Sequence, residues 1–412
     1  MFADDLILIS TTKVGLQNSL NALENYATKW KLEINIKKTK CITFCKGNQK
    51  EKHQFKLNNK IIDYVNEYKY LGIIINKKGL FTSALNDLSC KAKRAIYAMN
   101  SKINLRFLSV KTLLKLFDSL ICPILLYGSE VWEPYLNHDK EKWDNNPIEK
   151  VHTQFLKRIL GVNRSTSTVL IRGDMGRCSL QSMIISRNLK YLRHIQEKED
   201  DSLVKQAFLY ENSQRLNRVH FENTIIKFKD NLNDFLNEDI DVYNLSTKDL
   251  KNKINQVYTQ NWKLKLYTST KADSYKIFKS SPKYENYFDY IKNSKHLRAL
   301  VKFRLSDHKL LIEEGRRKRP IIPRNERLCE SCHKVEDEVH FLIDCDRYKY
   351  ERIDMFKKIT REFPNFEEIK DSNSKFIFLM SQENKNITIL LASCVFNWFK
   401  VREASNTYPL TH

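Results

Sequence analysis

Two groups of residues in this 412-residue sequence combine types and spacing that could do chemistry. The first is Asp4-Asp5, a pair of adjacent carboxylates that an apolar run at residues 6–9 follows at once. Because Asp favours turns and the run has strand character, the pattern predicts that the pair lies at the tip of a β-hairpin. Two carboxylates at such a tip can hold divalent metal ions, although a plain turn before a buried strand has the same sequence.

The second group is a cluster of soft metal ligands late in the chain. Two residues separate Cys329 from Cys332, seven more precede His340, and four then precede Cys345. Three thiolates and one imidazole are the ligand set of a closed, tetrahedral structural zinc site. His333 competes with His340 as the nitrogen ligand, and a pair of buried thiols without metal is the alternative interpretation.

Composition limits the kind of partner and compartment. The chain has 71 Lys and Arg against 49 Asp and Glu, which gives a net charge of +22. This excess favours a polyanionic partner such as nucleic acid, with a merely soluble basic protein as the alternative. Nine cysteines, an odd number, argue against a secreted disulfide framework. We therefore expect a cytoplasmic or nuclear protein that is not secreted and has no membrane partner.

Apolar periodicity predicts the elements that would position these groups. Steps of three and four predict amphipathic helices over residues 16–30, 85–99 and 113–121, the last of them stopped by Pro123. Helical patterns continue through residues 150–310, where Ser246 starts a helix with a capping box.

Strands are predicted mainly in the first part of the chain, at residues 6–9, 32–36 and 68–75. The last of these should end in a turn at residues 76–79. Together with the predicted helices, the expected fold class is α+β, mostly α, with a short antiparallel sheet near the N-terminus.

The densest basic run is Arg316-Arg317-Lys318-Arg319, directly before Pro320. We expect an exposed connector here. A nucleic-acid contact, a nuclear-localisation signal and a plain solvated linker all remain open for it.

The order of these motifs resembles the late palm and C-terminal region of non-LTR (LINE-type) retrotransposon reverse transcriptases. The palm resemblance is carried by Phe2-Ala3-Asp4-Asp5, the helix ending at Trp30, Lys38-Thr39-Lys40 and Tyr70-Leu71-Gly72. Residues 122–132 resemble the family's thumb, residues 172–177 its connecting segment, and residues 324–342 its zinc knuckle.

This resemblance implies RNA-directed DNA synthesis by a two-metal mechanism, with Mg²⁺ held by Asp4 and Asp5. It implies that Lys38 neutralises or protonates the leaving pyrophosphate, and that Tyr70-Leu71-Gly72 supports the primer end. The implied partners are RNA and DNA as template and primer, with dNTP as substrate in the complete enzyme. Arg316, Arg317, Lys318 and Arg319 are candidate nucleic-acid contacts, and Zn²⁺ would be structural.

The family pattern also needs a third metal-binding carboxylate on an earlier strand. We therefore expect the C-terminal portion of such an enzyme, inactive by itself. The alternative is a non-enzymatic nucleic-acid-binding zinc-knuckle protein derived from a decayed element. The predicted regions are a partial palm at 1–80, a thumb at 81–160, a helical connector at 161–323, a CCHC zinc knuckle at 324–360 and a helical segment at 361–412.

Overall fold

A computed structural model of the chain describes residues 4–44, 53–103, 108–133, 143–213 and 246–407. The predicted fold class is confirmed at the level of an α+β, mostly helical protein with small sheets. The six strands form three two-stranded pairs within the described residues. In chain order they are β1 (Lys40–Cys41), β2 (Lys56–Leu57), β3 (Lys60–Ile61), β4 (Asp63–Tyr64), β5 (Glu67–Tyr70) and β6 (Ile73–Asn76).

The α-helices carry most of the described chain. They are α1 (Lys13–Lys29), α2 (Thr82–Lys102), α3 (Val110–Leu116), α4 (Cys122–Leu125), α5 (Ser129–Trp132), α6 (Pro147–Leu160), α7 (Thr168–Met175), α8 (Leu180–Gln196), α9 (Leu203–Ser213), α10 (Thr247–Thr268), α11 (Tyr287–Tyr290), α12 (Ser294–Arg304), α13 (Leu311–Arg317), α14 (Lys349–Glu362), α15 (Ser372–Met380) and α16 (Lys385–Thr407). Two π-helical segments, Phe117–Ile121 and His340–Asp344, interrupt this pattern.

The helix predictions hold and two strand predictions are wrong. Helices α1 and α2 cover the predicted spans, and Ser246 caps α10 by accepting a hydrogen bond from the Asp249 amide. By contrast, residues 6–9 and 32–36 form no strand, and Ile9 is 88% exposed. A strand-like sequence forms a stable strand only where a neighbouring strand completes its hydrogen bonds, and the described residues bring none to these segments.

Two further details differ from expectation for local reasons. Residues 68–75 are a hairpin and not one strand, because Leu71 (φ 45°) and Gly72 (φ 86°) both take the left-handed conformation that reverses β5 into β6. Pro123 does not end the helical run. The π-helical segment precedes it, and Pro123 falls in the first turn of α4, where a missing N–H leaves no hydrogen bond unmade.

Two hydrophobic cores result. A small one packs α1 against the first strands through Leu20, Phe55 and Leu57. A large continuous one extends from Ile73 to Trp398 and takes in the helices and the cysteine-rich segment together. The predicted region boundaries therefore remain predictions, since these buried side chains form one cluster.

Buried carboxylates tie the helices of the large core together. Asp174 of α7 is fully buried and accepts hydrogen bonds from Arg304 Nε at 2.7 Å and from the hydroxyls of Tyr275 and Tyr287 at 2.8 and 2.9 Å. Burial alone would raise the pKa of Asp174, but the Arg304 guanidinium outweighs it and lowers the pKa. The carboxylate thus remains charged inside the core and joins α7 to α12.

Candidate metal and nucleic-acid sites

The structure places Asp4 and Asp5 on the surface at the start of the described chain. Asp4 lies in a turn and both side chains are exposed, while Phe2 and Ala3 of the same motif lie outside the described residues. Among the residues that the structure describes, no third His, Cys, Asp or Glu joins this pair into a metal-binding group. The pair is therefore an incomplete ligand set for Mg²⁺, and its catalytic role stays a prediction.

Lys38 lies in the turn that leads into β1. Its backbone N–H donates to the Asn35 side chain at 3.1 Å, and its carbonyl accepts from the Tyr68 hydroxyl of β5 at 3.1 Å. The Lys38 side chain is exposed. The first hydrogen bond closes the turn and the second fixes it against β5, while the ammonium group stays free to contact a ligand.

The tip of the β5–β6 hairpin packs against the segment that follows α4. The Tyr127 hydroxyl donates to the Leu71 carbonyl at 2.7 Å. A Cβ on Gly72 would stand 3.1 Å from the Tyr127 ring, so the glycine is what allows this close approach. Sequence reasoning did not predict the contact with Tyr127, because it joins residues 56 positions apart.

We expect Gly72→Ala to destabilise the protein more than Gly79→Ala does. Both glycines have positive φ, so both substitutions strain the backbone. A Cβ at Gly79 would meet nothing within 4 Å, and the Gly79→Ala variant therefore measures the backbone strain alone. The strain costs roughly 1 kcal/mol, and the Tyr127 contact should add about 1 kcal/mol at Gly72. Urea denaturation measures both variants. Equal losses would show that the Tyr127 contact contributes nothing.

The basic run at residues 316–319 is only partly the exposed connector that was expected. Arg316 lies in α13, ion-pairs with Glu313 at 3.1 Å and hydrogen-bonds to Thr270. Arg317 Nη2 is 3.7 Å from Asp307, while Lys318 and Arg319 are exposed. A helix forms here because Glu313 and Glu314 in its first turn and Arg316 and Arg317 in its last complement the helix dipole. Arg316 therefore serves packing, which corrects the picture of a free linker.

Cys329, Cys332, His340 and Cys345 meet at one point. Their ligand atoms all lie within 4.8 Å of one another, and Cys345 Sγ is 3.8 Å from both Cys329 Sγ and Cys332 Sγ. Zinc–sulfur bonds of about 2.3 Å in a tetrahedron require sulfur atoms about 3.8 Å apart. His340 Nε2 is buried with no hydrogen-bond partner. Donor set, spacing and the unpartnered nitrogen all fit a zinc ion.

Local backbone geometry brings these ligands together. A tight turn joins Cys329 to Cys332, closed by the His333 amide donating to the Cys329 carbonyl at 2.9 Å. His333 itself has φ 53° and an exposed side chain, and it is not in the cluster. The π-helical segment His340–Asp344 then places His340 and Cys345 on the same side, with the Cys345 amide donating to the His340 carbonyl at 2.8 Å.

Hydrogen bonds in the cluster favour the thiolate form of Cys329, whereas the bond between Cys345 and Cys329 raises the pKa of Cys345. The hydrogen bond from the Cys345 thiol lowers the pKa of the Cys329 thiol to about 3. The Asp346 amide also donates to Cys332 Sγ at 3.2 Å. Donors aimed at sulfur stabilise the charged form, which is the form that binds metal.

Two carboxylates inside the cysteine-rich segment anchor it to the helices. Glu336 accepts hydrogen bonds from Arg402 Nε at 2.8 Å, from Arg402 Nη2 at 2.9 Å and from the Leu311 amide at 2.7 Å. Glu338 accepts from the side chain of Ser306 and contacts His308 Nε2 at 2.9 Å. Sequence reasoning missed both residues. Their signal was a run of three acidic residues, Glu336-Asp337-Glu338, between the metal ligands Cys332 and His340.

The N-terminal part of the chain is similar to a known protein family. Residues 1–75 match the family model of reverse transcriptases (RNA-dependent DNA polymerases). This stretch contains Asp4, Asp5, Lys38 and the β5–β6 hairpin tip.

Similarity to individual proteins extends further along the chain. The RNA-directed DNA polymerase from mobile element jockey of Drosophila melanogaster is 26% identical over 207 residues, which are 47% of this chain and 21% of that protein. Its Drosophila funebris counterpart is 28% identical over 144 residues, 32% of this chain and 15% of that protein. An uncharacterised transposon-derived protein of Caenorhabditis elegans is 25% identical over 211 residues, 48% of this chain and 71% of that protein. The chain thus spans about a fifth or less of the jockey polymerases that it matches.

Within the described residues, every helix is either too short or too polar to span a membrane.

Proposed function

We propose that this chain is the C-terminal portion of a reverse transcriptase from a non-LTR mobile element. The observation that carries the proposal is the family match over residues 1–75, which includes the Asp4-Asp5 pair. The similarity to jockey polymerases over about half of the chain supports it. The net charge of +22 suits the nucleic-acid template and primer that such an enzyme holds.

In the complete enzyme, Asp4 and Asp5 would hold Mg²⁺ together with a third carboxylate. The metal ions would supply charge stabilisation during nucleotidyl transfer. Lys38 would place its ammonium near the leaving phosphates, and the hairpin tip at Tyr70, Leu71 and Gly72 would support the primer end. The rigid packing of that tip against Tyr127 is consistent with a supporting role.

Cys329, Cys332, His340 and Cys345 would hold a structural Zn²⁺. With all four positions filled by protein, the ion would cross-link the segment and leave no open position for a substrate. The segment would then hold RNA or single-stranded DNA as a fixed part of the helical body.

The proposal is tested by incubating the 412-residue chain with a labelled RNA template annealed to a DNA primer, with Mg²⁺ and dNTPs. We expect binding that weakens steeply with salt, and no primer extension above background. Asp4→Asn should leave binding unchanged. Absence of binding at low salt would contradict the proposal. Extension that Asp4→Asn abolishes would instead show that the chain suffices for synthesis.

A second candidate function is nucleic-acid binding without catalysis, by a zinc-knuckle protein derived from a decayed element. The observation in its favour is the incomplete carboxylate set: Asp4 and Asp5 gain no third ligand within the described residues. The two candidate functions can be distinguished by expressing this chain within any longer reading frame that contains it and measuring DNA synthesis and nucleic-acid binding. Synthesis that depends on Asp4 and Asp5 supports the polymerase, and binding alone supports the second candidate.

A further inference from the structure

A basic surface surrounds the turn between α6 and α7, at residues 161–165. Helix α6 ends at Gly161, whose φ of 67° turns the chain sharply, so that Arg158 and Arg164 on either side of it are both exposed. Arg298 of α12 lies directly over the turn, with its Nε 3.4 Å from where a Cβ on Gly161 would stand. A Cβ at this position would make an ordinary van der Waals contact with Arg298, so the role of Gly161 is to supply the positive φ of the turn that the third guanidinium covers.

Other cations reach the same turn from separate parts of the chain. Lys157 Nζ donates to the Arg164 carbonyl at 2.6 Å, and Lys271 Nζ to the Ser165 carbonyl at 3.5 Å. Arg317 Nη2 lies 3.7 Å from Asp307, which in turn accepts from the amide of Asn163 in the turn. Four stretches that are distant in sequence thus contribute to one surface, which we call the turn surface: Lys157, Arg158, Arg164, Lys271, Arg298 and Arg317.

The positive charge of the turn surface is poorly balanced. Asp307, which these contacts bring to the turn, is 4% exposed, and both of its oxygens already accept from Asn163, at 3.0 and 2.7 Å. The pKa of Lys157 is lowered, first by burial and then by the nearby charges of Lys271 and Arg172. Like charges held together with so little compensation are the electrostatic footprint of an anion-binding surface.

We propose that the turn surface binds the sugar–phosphate backbone of nucleic acid. The class of partner rests on the proposed function, whereas the location rests on the contacts above. Guanidinium groups suit phosphate because they donate two parallel hydrogen bonds, and the three exposed arginines are free to do so from helix ends and a turn. Contacts to backbone phosphates position a duplex without reading its sequence, so the binding should be independent of sequence.

The test compares two triple variants of the full chain. Arg158→Gln, Arg164→Gln and Arg298→Gln together remove three charges from the turn surface. The control, Lys357→Gln, Arg361→Gln and Lys370→Gln, removes three equally exposed charges along the chain around α14, where Asp354, Glu362 and Glu367 supply nearby acids. Affinity for a labelled RNA–DNA duplex is measured by fluorescence anisotropy between about 50 and 200 mM salt.

We expect the turn-surface variant to weaken binding by roughly 10- to 100-fold at about 0.1 M salt and to reduce the slope of log K against log salt by about 2 to 3. The control should change the affinity less than about threefold. Thermal unfolding of both variants checks that they are folded. If the unmodified chain binds the duplex and the turn-surface variant binds equally well, or both variants lose affinity equally, the turn surface is not the contact.

Two outcomes concern the partner. An unmodified chain that binds no nucleic acid would overturn both this proposal and the proposed function. An unmodified chain that binds anionic phosphatidylserine vesicles through these arginines, with its duplex affinity untouched by the substitutions, would overturn this proposal alone.

Discussion

Removal of zinc is expected to lower the free energy of unfolding of the helices around the cysteine-rich segment by at least about 4 kcal/mol. Cys345→Ser should have the same effect, because Cys345 Sγ lies 3.8 Å from both other sulfur atoms. The physical reason is that the segment is part of the large core: Phe341 stacks on Phe399 at 4.7 Å and Tyr348 on Trp398 at 5.2 Å. Loosening the segment therefore removes the partners of α16.

Two control variants distinguish the loss of zinc from the loss of stability that any substitution of a Cys or His could cause. Cys90→Ser alters an exposed thiol outside the cluster, and His333→Ala alters the histidine that competes for the metal in sequence but is exposed in the structure. Both should retain one zinc per chain and the original urea midpoint. Protein purified without chelator that contains no stoichiometric zinc would contradict the metal assignment. An unchanged midpoint after chelation would contradict the coupling to α16.

Asp174→Asn is expected to destabilise the protein by about 3 to 5 kcal/mol. The substitution keeps the shape of the side chain but removes the charge that balances Arg304, which is itself 5% exposed. It also replaces an acceptor of the Tyr275 or Tyr287 hydroxyl by an amide donor. A buried guanidinium without its counter-charge carries most of the cost.

Asp354→Asn is the control for Asp174→Asn. Asp354 pairs with Lys358 at 2.7 Å, but on the exposed side of α14, where such a pair contributes about 0.5 kcal/mol or less. Urea denaturation followed by circular dichroism measures both variants. A loss below about 1 kcal/mol for Asp174→Asn would show that Glu285, 3.6 Å from Arg304, suffices to balance the charge.

Helices were predictable from sequence because their signal is local. Apolar residues recur every three or four positions over residues 16–30 and 85–99, and this spacing identifies the buried face of a helix. The structure confirms α1 and α2 at these places. Strands were less predictable, because pairing depends on residues elsewhere. Residues 6–9 are a strand-like apolar run and residues 32–36 alternate as strands do, but neither segment has a strand partner among the described residues. By contrast, β1 pairs with β4 across 23 positions.

The grouping of the metal ligands was predictable from spacing, but the choice of nitrogen was not. Both His333 and His340 follow the second cysteine, and only the positive φ at His333 and the π-helical segment at His340 distinguish them. The anchors of that segment could not be predicted at all. Glu336 pairs with Arg402, 66 positions away, and Glu338 contacts His308, 30 positions away. The core carboxylate Asp174 of α7 is also distant in sequence from its partner, since Arg304 is 130 positions away.

For the basic run at residues 316–319, the sequence pattern overestimated how exposed the side chains are. Its density in sequence predicted an exposed linker, yet Arg316 is held by Glu313 and Thr270. The turn surface has no such run, because its cations come from α6, the following turn, Lys271, α12 and α13. Charge density along the chain is therefore a poor guide to charge density on the surface of this protein.

Primer extension tests the central proposal most directly. The transcript is sequenced upstream of the codon for Met1, and the longest reading frame that contains this chain is expressed. DNA synthesis on an RNA template is then measured with Mg²⁺. We predict synthesis that falls by at least about a thousandfold when Asp4 and Asp5 are both changed to Asn. A frame that closes directly upstream would contradict the proposal that this chain is part of an active polymerase and would favour nucleic-acid binding without catalysis. Synthesis that both substitutions leave intact would contradict the catalytic role of Asp4 and Asp5.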